Sequence, residues 1–521
     1  MNNNRGTNAL VMMLGICFGI YAIFSVMLTE GNSISELCRM LMVGGFLLSF
    51  LNPKLGLILF LASSGYIDLL KRLMVVSGRI TQMDLYFVLG IHPLMMAGLC
   101  GGVLVDGFTG KQSLSGWHLR RLLAAGAIMV VGGLAAGREK GWSPSAIAPE
   151  IANNAFYAVL LFVVPVLLPR LEDILKTLRL IIIVYAPVAV YGVIQQIIGF
   201  QDFEIEYLMT GLSIEIKQLY SDELRAFSTL NSPTALGFAS AACFTFALLL
   251  GSYRDQQAAR FRFSSLHSIL LALLFIAGWL SSTARSAVIV IPVALLARYC
   301  FSNGKRTRIF YATTVSCFLL LVASSGWILE ILPQAMTAMY ELAGGQGFAN
   351  QILRVGTYYE RLMGFQNVLM NPAAYSLTGM GAGRSGDYAD EFMNHDPIST
   401  TLVHYGAPVT LAMIIAVALL LRQAHLSVLR LPQGALRNTG CLLLSVPLAY
   451  LVASMLQGTV FFTFPLNAIT WLCVGMVGSL SQQASETAKS PRATSEPTLP
   501  PAQPYEAYPM IARHPQPLTG R

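Results

Sequence analysis

The chain has 521 residues, of which 55% are hydrophobic and only 12% are charged, and its mean hydropathy is +0.61. A soluble globular protein carries roughly a quarter charged residues, because its whole surface meets water. The composition therefore excludes a soluble enzyme and favours one polytopic membrane body over several soluble domains. The formal charge of +8 is not concentrated in a dense basic tract, so it does not indicate a nucleic-acid partner.

Apolar runs predict an all-α membrane protein. A helix needs about 20 mostly apolar residues to cross the hydrocarbon core, and about fourteen such runs predict about 12–14 transmembrane helices. The runs lie near residues 9–28, 37–51, 55–67, 85–105, 119–136, 151–169, 180–199, 233–251, 266–282, 284–300, 309–331, 398–421, 439–457 and 464–480. The first run lacks a small-residue cleavage site and is expected to be a retained helix. The second and third, separated by Asn52, Pro53 and Lys54, are also compatible with one kinked element.

The distribution of basic residues predicts the orientation. Cytoplasmic loops of membrane proteins carry an excess of Lys and Arg. With the N-terminus in the cytoplasm, five successive inside loops hold basic residues: Lys111, Arg120, Arg121, Arg170, Lys176, Arg179, Arg254, Arg260, Arg262, Arg298, Lys305, Arg306, Arg308, Arg422, Arg430 and Arg437. We therefore expect both termini to be cytoplasmic.

This orientation leaves two long external segments, residues 200–232 and 332–397, in a transmembrane body of residues 1–480. Long loops without a transmembrane signal of their own are usually functional or disordered. The second contains aromatic residues within helix-like runs, so we expect it to be a folded, helical periplasmic loop. Residues 481–521 are polar and Pro-rich and are expected to form a disordered cytoplasmic tail.

The sequence contains no signal for a cofactor. All eight cysteines lie in or beside apolar runs, so no disulfide framework is implied. We find no Cys or His pair at metal-ligand spacing, no Walker loop and no dinucleotide fingerprint. We therefore expect chemistry without a metal or a nucleotide cofactor.

A few arginines lie on the external side, against the positive-inside rule. Arg285 is in a connection of only a few residues between two apolar runs, so its guanidinium must stay near the headgroup level. It either snorkels to lipid phosphate or pairs with an acid such as Glu330, or it holds a phosphate ligand bidentately. Arg225 either neutralises Asp222 and Glu223 or serves the same anion site.

Two further arginines lie in the second external segment. Arg354 and Arg361 are seven residues apart and so share one face of a helix. That face is either simply solvated or directed at the membrane surface, where it would join an anion site. Arg384 follows them in the same segment.

His395 differs from the other histidines in its position. It ends the second external segment, directly before a helix predicted to start near Pro397 and Ile398. A neutral imidazole there could accept a proton from a hydroxyl near neutral pH, oriented by Asp396 or another acid. The alternative interpretation is a surface histidine that helps to cap the helix.

Four segments, taken in order, resemble the bacterial O-antigen ligase and Wzy-type O-antigen polymerase superfamily. VAVYGVIQQIIG (188–199) resembles its helix with a Tyr-Gly and Gln pattern, and RAFSTLNSP (225–233) its Arg-x-Phe-Gly-Thr-Phe-x-Asn-Pro segment, with Ser228 where Gly is usual. SSTARSA (281–287) is similar to its Ser-Arg helix start. NPAAYSLTGMGAG (371–383) and NHDPISTTLVHYG (394–406) resemble its Gly-x-Gly and His-Asn run, with Asp396 in place of Asn and a longer interval before Gly379.

The resemblance implies a GT-C-like, metal-independent, inverting membrane glycosyltransferase of the bacterial inner membrane with a periplasmic active site. The donor would be a glycan on undecaprenyl pyrophosphate, and the acceptor a growing chain or the lipid A core. Arginines would meet the charge that develops on the pyrophosphate leaving group. The implied pyrophosphate-binding residues are Arg225, Arg285 and one of Arg354 and Arg361. His395 would be the base, with Arg384 and Asp396 as auxiliary groups.

Two other classes remain open. A transporter or flippase of anionic lipid-linked sugars also has many spans and unpaired arginines, although it should place charge near the midplane in related halves. A non-catalytic scaffold of a polysaccharide export complex is the third class. Within the glycosyltransferase class we lean towards a polymerase over a ligase, because the external loop is long and the tail could dock to export machinery.

Overall fold

The computed structural model is helical throughout the part of the chain that it describes, with no β-strand there. That part comprises residues 33–76, 82–140, 142–212, 224–252, 261, 263–323, 368, 377, 379, 397–455 and 463–489. The helices are α1 (Ser33–Leu51), α2 (Pro53–Ser63), α3 (Ile67–Val76), α4 (Gln82–Phe108), α5 (Gly116–Lys140), α6 (Pro144–Asn153), α7 (Leu160–Leu167, after a 3₁₀ turn at Ala155–Val159), α8 (Leu171–Ile198), α9 (Asp202–Met209), α10 (Pro233–Ser252), α11 (Ser265–Ser282), α12 (Arg285–Val288), α13 (Val290–Phe301), α14 (Gly304–Ala323), α15 (Pro397–Tyr405), α16 (Ala407–Leu429), α17 (Ala435–Ser454) and α18 (Leu466–Lys489).

Among the described helices, six are long and apolar enough to cross a membrane, or up to eight if each of two bent pairs counts as one span. The six lie in α4, α8, α10, α11, α16 and α17. These helices are what a multi-pass membrane protein requires. The predicted run at 9–28 lies outside the described residues.

The run around residues 37–67 forms separate helices that pack on each other. Asn52 interrupts the helix, and its side chain caps α2 by accepting a hydrogen bond from the Leu55 N–H at 3.3 Å. A Cβ added to Gly56 would lie 2.6 Å from the Cα of Ser49, so α2 folds back closely against α1. The chain bends again, by 60°, between α2 and α3.

Helix α4 approaches α1 through small residues. A Cβ on Gly98 would meet the carbonyl oxygen of Phe46, and one on Gly102 would meet that of Phe50. The two glycines are four residues apart, the small-xxx-small spacing that lets two helices in a membrane come into backbone contact. This spacing therefore sets the distance between α1 and α4.

Side-chain contacts show which helix ends lie together. The Leu171 N–H at the start of α8 donates to the side chain of Gln483 near the end of α18, at 2.9 Å. Phe301 at the end of α13 and His425 near the end of α16 have ring centroids 5.0 Å apart. Helices α17 and α18 are successive and pack side by side, so the start of α17 lies beside the end of α18. The end of α16 leads into the start of α17. The start of α8 and the ends of α13, α16 and α18 therefore lie at one level of the bundle.

We call this level the basic end, because the described residues of the predicted inside loops gather there. They are Lys111, Arg120, Arg121, Arg170, Lys176, Arg179, Arg298, Lys305, Arg306, Arg308, Arg422, Arg430 and Arg437. The opposite level, at which α8 and α11 end and α10 begins, is called the Arg225 end. The clustering is the charge asymmetry that orients membrane proteins.

The centre of the bundle is α10, flanked by α8, α11, α13 and α17. Its apolar window is 83% buried, whereas that of α16 is 17% buried. The hydroxyl of Tyr450 on α17 donates to the backbone carbonyl of Phe238 on α10 at 2.9 Å. Helix α10 is therefore a core helix, and α16 presents most of its apolar surface outwards, as a lipid-facing helix does.

Two element boundaries differ from the expected ones. The external segment at 200–232 contains α9, whose start is closed by a capping box between Gln201 and Glu204. At the other end, α18 continues past Ser481, the expected start of the disordered tail, to Lys489. Side-chain bonds one turn apart support this extension, including one from Gln482 to Glu486 at 2.9 Å.

Replacing Gly98 by Val should lower the melting temperature of the detergent-solubilised protein by several degrees. The added side chain must displace the Phe46 backbone, and overpacking of this kind costs about 1–3 kcal/mol. Gly126→Val on α5 is the matched control, because a Cβ there meets nothing within 4 Å. Equal melting temperatures for the two variants would argue against close packing of α1 and α4.

Candidate functional site at the Arg225 end

Three of the segments that carry the family resemblance meet at the Arg225 end. They are the end of α8, the loop at residues 224–232 that leads into α10, and the turn between α11 and α12. The Ala226 N–H donates to the carbonyl of Ser281 at 3.1 Å, and the Ser228 N–H donates to the side chain of Gln195 at 2.6 Å. The loop is thus bonded to the segments on both sides of it.

Arg225 is joined to the turn that precedes Arg285. Its Nε donates to the hydroxyl of Thr283 at 3.0 Å. Thr283 has a left-handed backbone (φ 46°) that ends α11, and α12 begins two residues later at Arg285. The structure therefore brings the backbone positions of two predicted phosphate ligands close together, although 60 residues separate them in sequence.

The side chain of Gln196 adds a third connection. Its amide nitrogen, in the orientation that satisfies both neighbours, donates to the carbonyls of Ser281 at 2.9 Å and Leu224 at 3.1 Å. Gln195 and Gln196 are adjacent on α8, so one holds the loop at Ser228 and the other holds it at Leu224. The paired glutamines fix the loop on either side of Arg225.

Beneath the loop, Arg72 of α3 is fully buried. Its Nη2 donates to the carbonyls of Ser228 at 2.6 Å and Leu230 at 2.7 Å, and its Nη1 to Glu204 Oε1 at 3.0 Å. The guanidinium carbon lies 4.6 Å from the centre of the Phe227 ring. Since the planar guanidinium offers donors in a fixed fork, one side chain can hold two loop carbonyls and a carboxylate at once.

Glu204 of α9 neutralises this cation and extends the network. Its side chain is 0% exposed. One carboxylate oxygen also accepts from the Gln195 amide at 2.5 Å, and the other from the Gln201 N–H at 3.1 Å. A buried carboxylate is tolerated only when it is paired and hydrogen-bonded in this way. We call Arg72, Glu204, Gln195 and Ser228 the loop clamp.

The backbone conformation of Ser228 accounts for the glycine that is usual at this position of the motif that the loop resembles. Its φ is +56°, in the left-handed region that glycine occupies without steric cost. The serine retains this backbone through its hydroxyl, which donates to the carbonyl of Val188 on α8 at 2.5 Å. Its neighbour Thr229 donates to the carbonyl of Gly65 at 2.5 Å. The departure from the family pattern is therefore accommodated by local hydrogen bonds.

The other predicted site residues are described only in part. Helix α12 begins at Arg285, whose side chain is not among the described groups. Gly379 has the left-handed φ of +64° that its place in the Gly-x-Gly pattern suggests. Five predicted site residues lie outside the described part of the chain: Arg354, Arg361, Arg384, His395 and Asp396.

The direction of α16 shows at which end of the bundle α15 lies. Helix α15 begins at Pro397, as the sequence predicts, and breaks at Gly406 (φ +83°) before α16. Because His425 near the end of α16 is at the basic end, the start of α16 at Ala407 lies at the Arg225 end. Helix α15 therefore lies at that end as well, and His395 precedes it in sequence, outside the described residues.

The described part of the chain contains no group of three or more His, Cys, Asp or Glu residues that could hold a metal ion. The polar groups of the site segments at the Arg225 end are guanidinium, amide and hydroxyl groups, together with the Glu204 carboxylate, which is paired with Arg72. Asn231 adds a buried side-chain oxygen without a hydrogen-bond partner among the described residues. Such a set can bind an anion and hydroxyl groups.

Sequence reasoning did not select the loop clamp as part of the site. Arg72 follows a short apolar run on the predicted external side, and Glu204 lies in the external segment 200–232. Two signals were present: Arg72 breaks the positive-inside rule, and Gln195 lies in the Tyr-Gly and Gln segment. What the sequence did not supply was the contact between positions more than 130 residues apart.

No protein-family model matches the chain, and no curated protein matches it. The resemblance to O-antigen ligases and polymerases therefore depends on the four motif segments alone.

Arg72→Met should lower the melting temperature strongly. Removing one partner of a buried ion pair costs about 3–5 kcal/mol, since it leaves an uncompensated charge on Glu204. Adding Glu204→Gln to this variant should recover part of the loss, because the orphaned charge disappears. Thermal unfolding of the purified single and double variants measures both effects.

Lys111→Met is the control, because Lys111 pairs with Asp106 at 3.4 Å on the surface with its side chain 54% exposed. Such exposed pairs contribute at most about 1 kcal/mol. An Arg72→Met melting temperature no lower than that of the control would show that the buried pair does not hold the loop.

Three substitutions of Ser228, by Gly, Ala and Val, distinguish the effect of backbone strain on stability from the effect of the side-chain hydrogen bond. Ser228→Gly relieves about 1 kcal/mol of left-handed strain and loses a hydrogen bond of similar net value, so stability should change little. Ser228→Ala loses the bond and keeps the strain, and β-branched Val at positive φ should be the least stable. The expected order of melting temperatures is Gly, then Ala, then Val, and the reverse order would contradict the positive φ.

Proposed function

We propose that the protein is a metal-independent, inverting membrane glycosyltransferase of the O-antigen ligase and polymerase type. Its donor is a glycan carried on undecaprenyl pyrophosphate, and its acceptor is a sugar hydroxyl of a growing chain or of the lipid A core. The observation that carries the proposal is the meeting of the Arg225 loop with the turn before Arg285, since two weak motifs that converge in space are more specific than either alone.

The chemistry needs an anion site that is fixed before the reaction. As the glycosidic bond to the carrier breaks, charge develops on the pyrophosphate, and preorganised cations lower the barrier most effectively. The loop clamp and the contact with Thr283 hold Arg225 in place, which supports that role. Arg285 and one of Arg354 and Arg361 complete the anion site in this proposal.

The acceptor hydroxyl attacks the anomeric carbon of the donor on the face opposite the leaving group. The carbon–oxygen bond to the pyrophosphate breaks as the new glycosidic bond forms, so the configuration inverts. His395 takes the hydroxyl proton and releases it to solvent, with Asp396 orienting the imidazole. Arg384 assists in gathering the donor or orienting the acceptor.

The proposal includes the finer topology. The protein has about 12–14 crossings in a GT-C-like arrangement, with cytoplasmic termini in the bacterial inner membrane. The basic end faces the cytoplasm and the Arg225 end the periplasm. The segment at 332–397 is the periplasmic loop, and the tail after α18 docks to polysaccharide export machinery. We favour a polymerase over a ligase.

A transporter or flippase of anionic lipid-linked sugars is the competing function. Its charged groups should lie near the bilayer midplane in broken helices. The buried ion pair Arg72–Glu204 instead joins α3 to α9 beneath a loop at one end of the bundle. This position favours a site at the membrane surface.

Arg225→Ala should reduce glycan transfer by about 10²–10³-fold, the usual effect of removing one group that stabilises a developing anion. Arg225→Lys should retain part of the activity, because it keeps the charge and loses the fork. Each variant would be expressed in a deletion strain, and the glycan on the lipid carrier and on the final acceptor analysed. Single repeat units on the carrier identify a polymerase, and full-length chains stranded there identify a ligase.

Exposed Arg308 on α14 at the basic end is the control, and Arg308→Ala should leave transfer unchanged. His395→Ala tests the base, with His267→Ala at the start of α11 as its control. Transfer at the wild-type level by both Arg225→Ala and His395→Ala would overturn the enzymatic proposal. Full transfer by His395→Ala alone would remove only the base assignment.

A further inference from the structure

A second group of cations converges at the basic end, away from the Arg225 loop. Arg437 lies in the first turn of α17, and Arg298 near the end of α13 and His425 of α16 lie close to that turn. Arg437 interacts with the thiol of Cys441, and Arg298 is close enough to interact electrostatically with the same thiol. Arg437 is also within electrostatic range of His425.

Aromatic rings close one side of this group. The Phe301 ring lies 5.0 Å from the His425 ring and 6.1 Å from the Tyr311 ring of α14. The rings of Tyr311 and His425 meet edge to face at 5.9 Å. Four helices therefore contribute to one compact cluster, and His425 is only 7% exposed within it.

Three buried polar atoms of this cluster have no hydrogen-bond partner among the described residues. They are the Tyr311 hydroxyl, His425 Nδ1 and Arg437 Nε. A hydroxyl and a guanidinium N–H are donors, and a histidine nitrogen becomes one when protonated or in the matching tautomer. Burying a donor without an acceptor is unfavourable. Three such atoms in one cluster therefore favour a ligand that offers acceptor atoms.

The charges of the cluster are also not balanced by the helices that form it. Residues 285–323 and 397–455 contain no Asp and no Glu. Within the described part of the chain, neither Arg298 nor Arg437 forms an ion pair. The positive-inside rule explains why basic residues lie at this end, but it does not explain why their donors are buried without acceptors.

We propose that Arg298, Tyr311, His425 and Arg437 form a binding site for a phosphate group. Phosphate offers three strong acceptor oxygens and a negative charge, which match the buried donors and the uncompensated cations. The group is carried by an anionic phospholipid headgroup or by a soluble phosphate compound. The site is separate from glycan transfer and does not depend on the proposed function.

The test uses the full chain in dodecyl maltoside micelles, which contain no phosphate. Thermal unfolding is followed by tryptophan fluorescence while phosphatidylglycerol or inorganic phosphate is added at constant ionic strength. A ligand of the native state raises the melting temperature with its concentration, so wild type should rise by a few degrees. Arg298→Gln with Arg437→Gln should require at least about tenfold more probe, since two charge-assisted bonds are lost.

Arg120→Gln is the matched control, because it removes an exposed arginine at the same end of the bundle. It should respond as wild type does. Tyr311→Phe keeps the ring packing, removes only the hydroxyl and should need severalfold more probe. This variant also covers the case in which the double arginine variant does not fold.

The two probes distinguish the sources of the phosphate. A response to inorganic phosphate alone identifies a soluble ligand, and a response only to phosphatidylglycerol identifies a lipid headgroup; either supports the site. No response of wild type to either probe would overturn the proposal. So would an unchanged response in both Tyr311→Phe and the double arginine variant.

Discussion

The buried ion pair between Arg72 and Glu204 is the constraint on which the Arg225 end depends. A charged group inside an apolar bundle must be neutralised where it lies, and here the neutralising carboxylate comes from a short helix outside the main spans. The remaining guanidinium donors hold the carbonyls of Ser228 and Leu230. Neutralising one cation therefore fixes α3, α9 and the loop that carries Arg225 relative to one another.

Close packing of small residues makes this arrangement possible. A Cβ on Gly237 of α10 would lie 2.7 Å from the Cβ of Ala284 and from the Ser282 hydroxyl. The core helix therefore reaches the turn before Arg285 at backbone distance, as α4 reaches α1 through Gly98. In lipid, helices associate through such contacts and through hydrogen bonds between them, because apolar surface gains nothing by leaving lipid. The site is built from both kinds of contact.

Much of the helical architecture was predictable from the sequence. Hydropathy predicted runs at 233–251 and 266–282, within about a residue of the ends of α10 and α11. The site was predictable only in part. The motif segments drew attention to the Arg225 loop and the Thr283 turn. Hydropathy, however, carries no information on which charged side chains of the external segments are buried. Arg72 and Glu204 are 132 residues apart, and no sequence pattern indicates that they pair and are both buried.

The cations at the two ends of the bundle differ in how their charge is compensated, and this difference indicates which end binds an anion. At the Arg225 end the most deeply buried cation is satisfied by the protein itself, so it serves to position a neighbouring arginine. At the basic end the helices that supply Arg298 and Arg437 contain no carboxylate, so the protein leaves the compensation to something that it binds. A cation with partners inside the protein stabilises a loop of the free protein. A cluster of cations without such partners stabilises the folded state only when an anion is bound. The basic end is therefore expected to bind phosphate for stability, whereas the loop at the Arg225 end is held by hydrogen bonds within the protein.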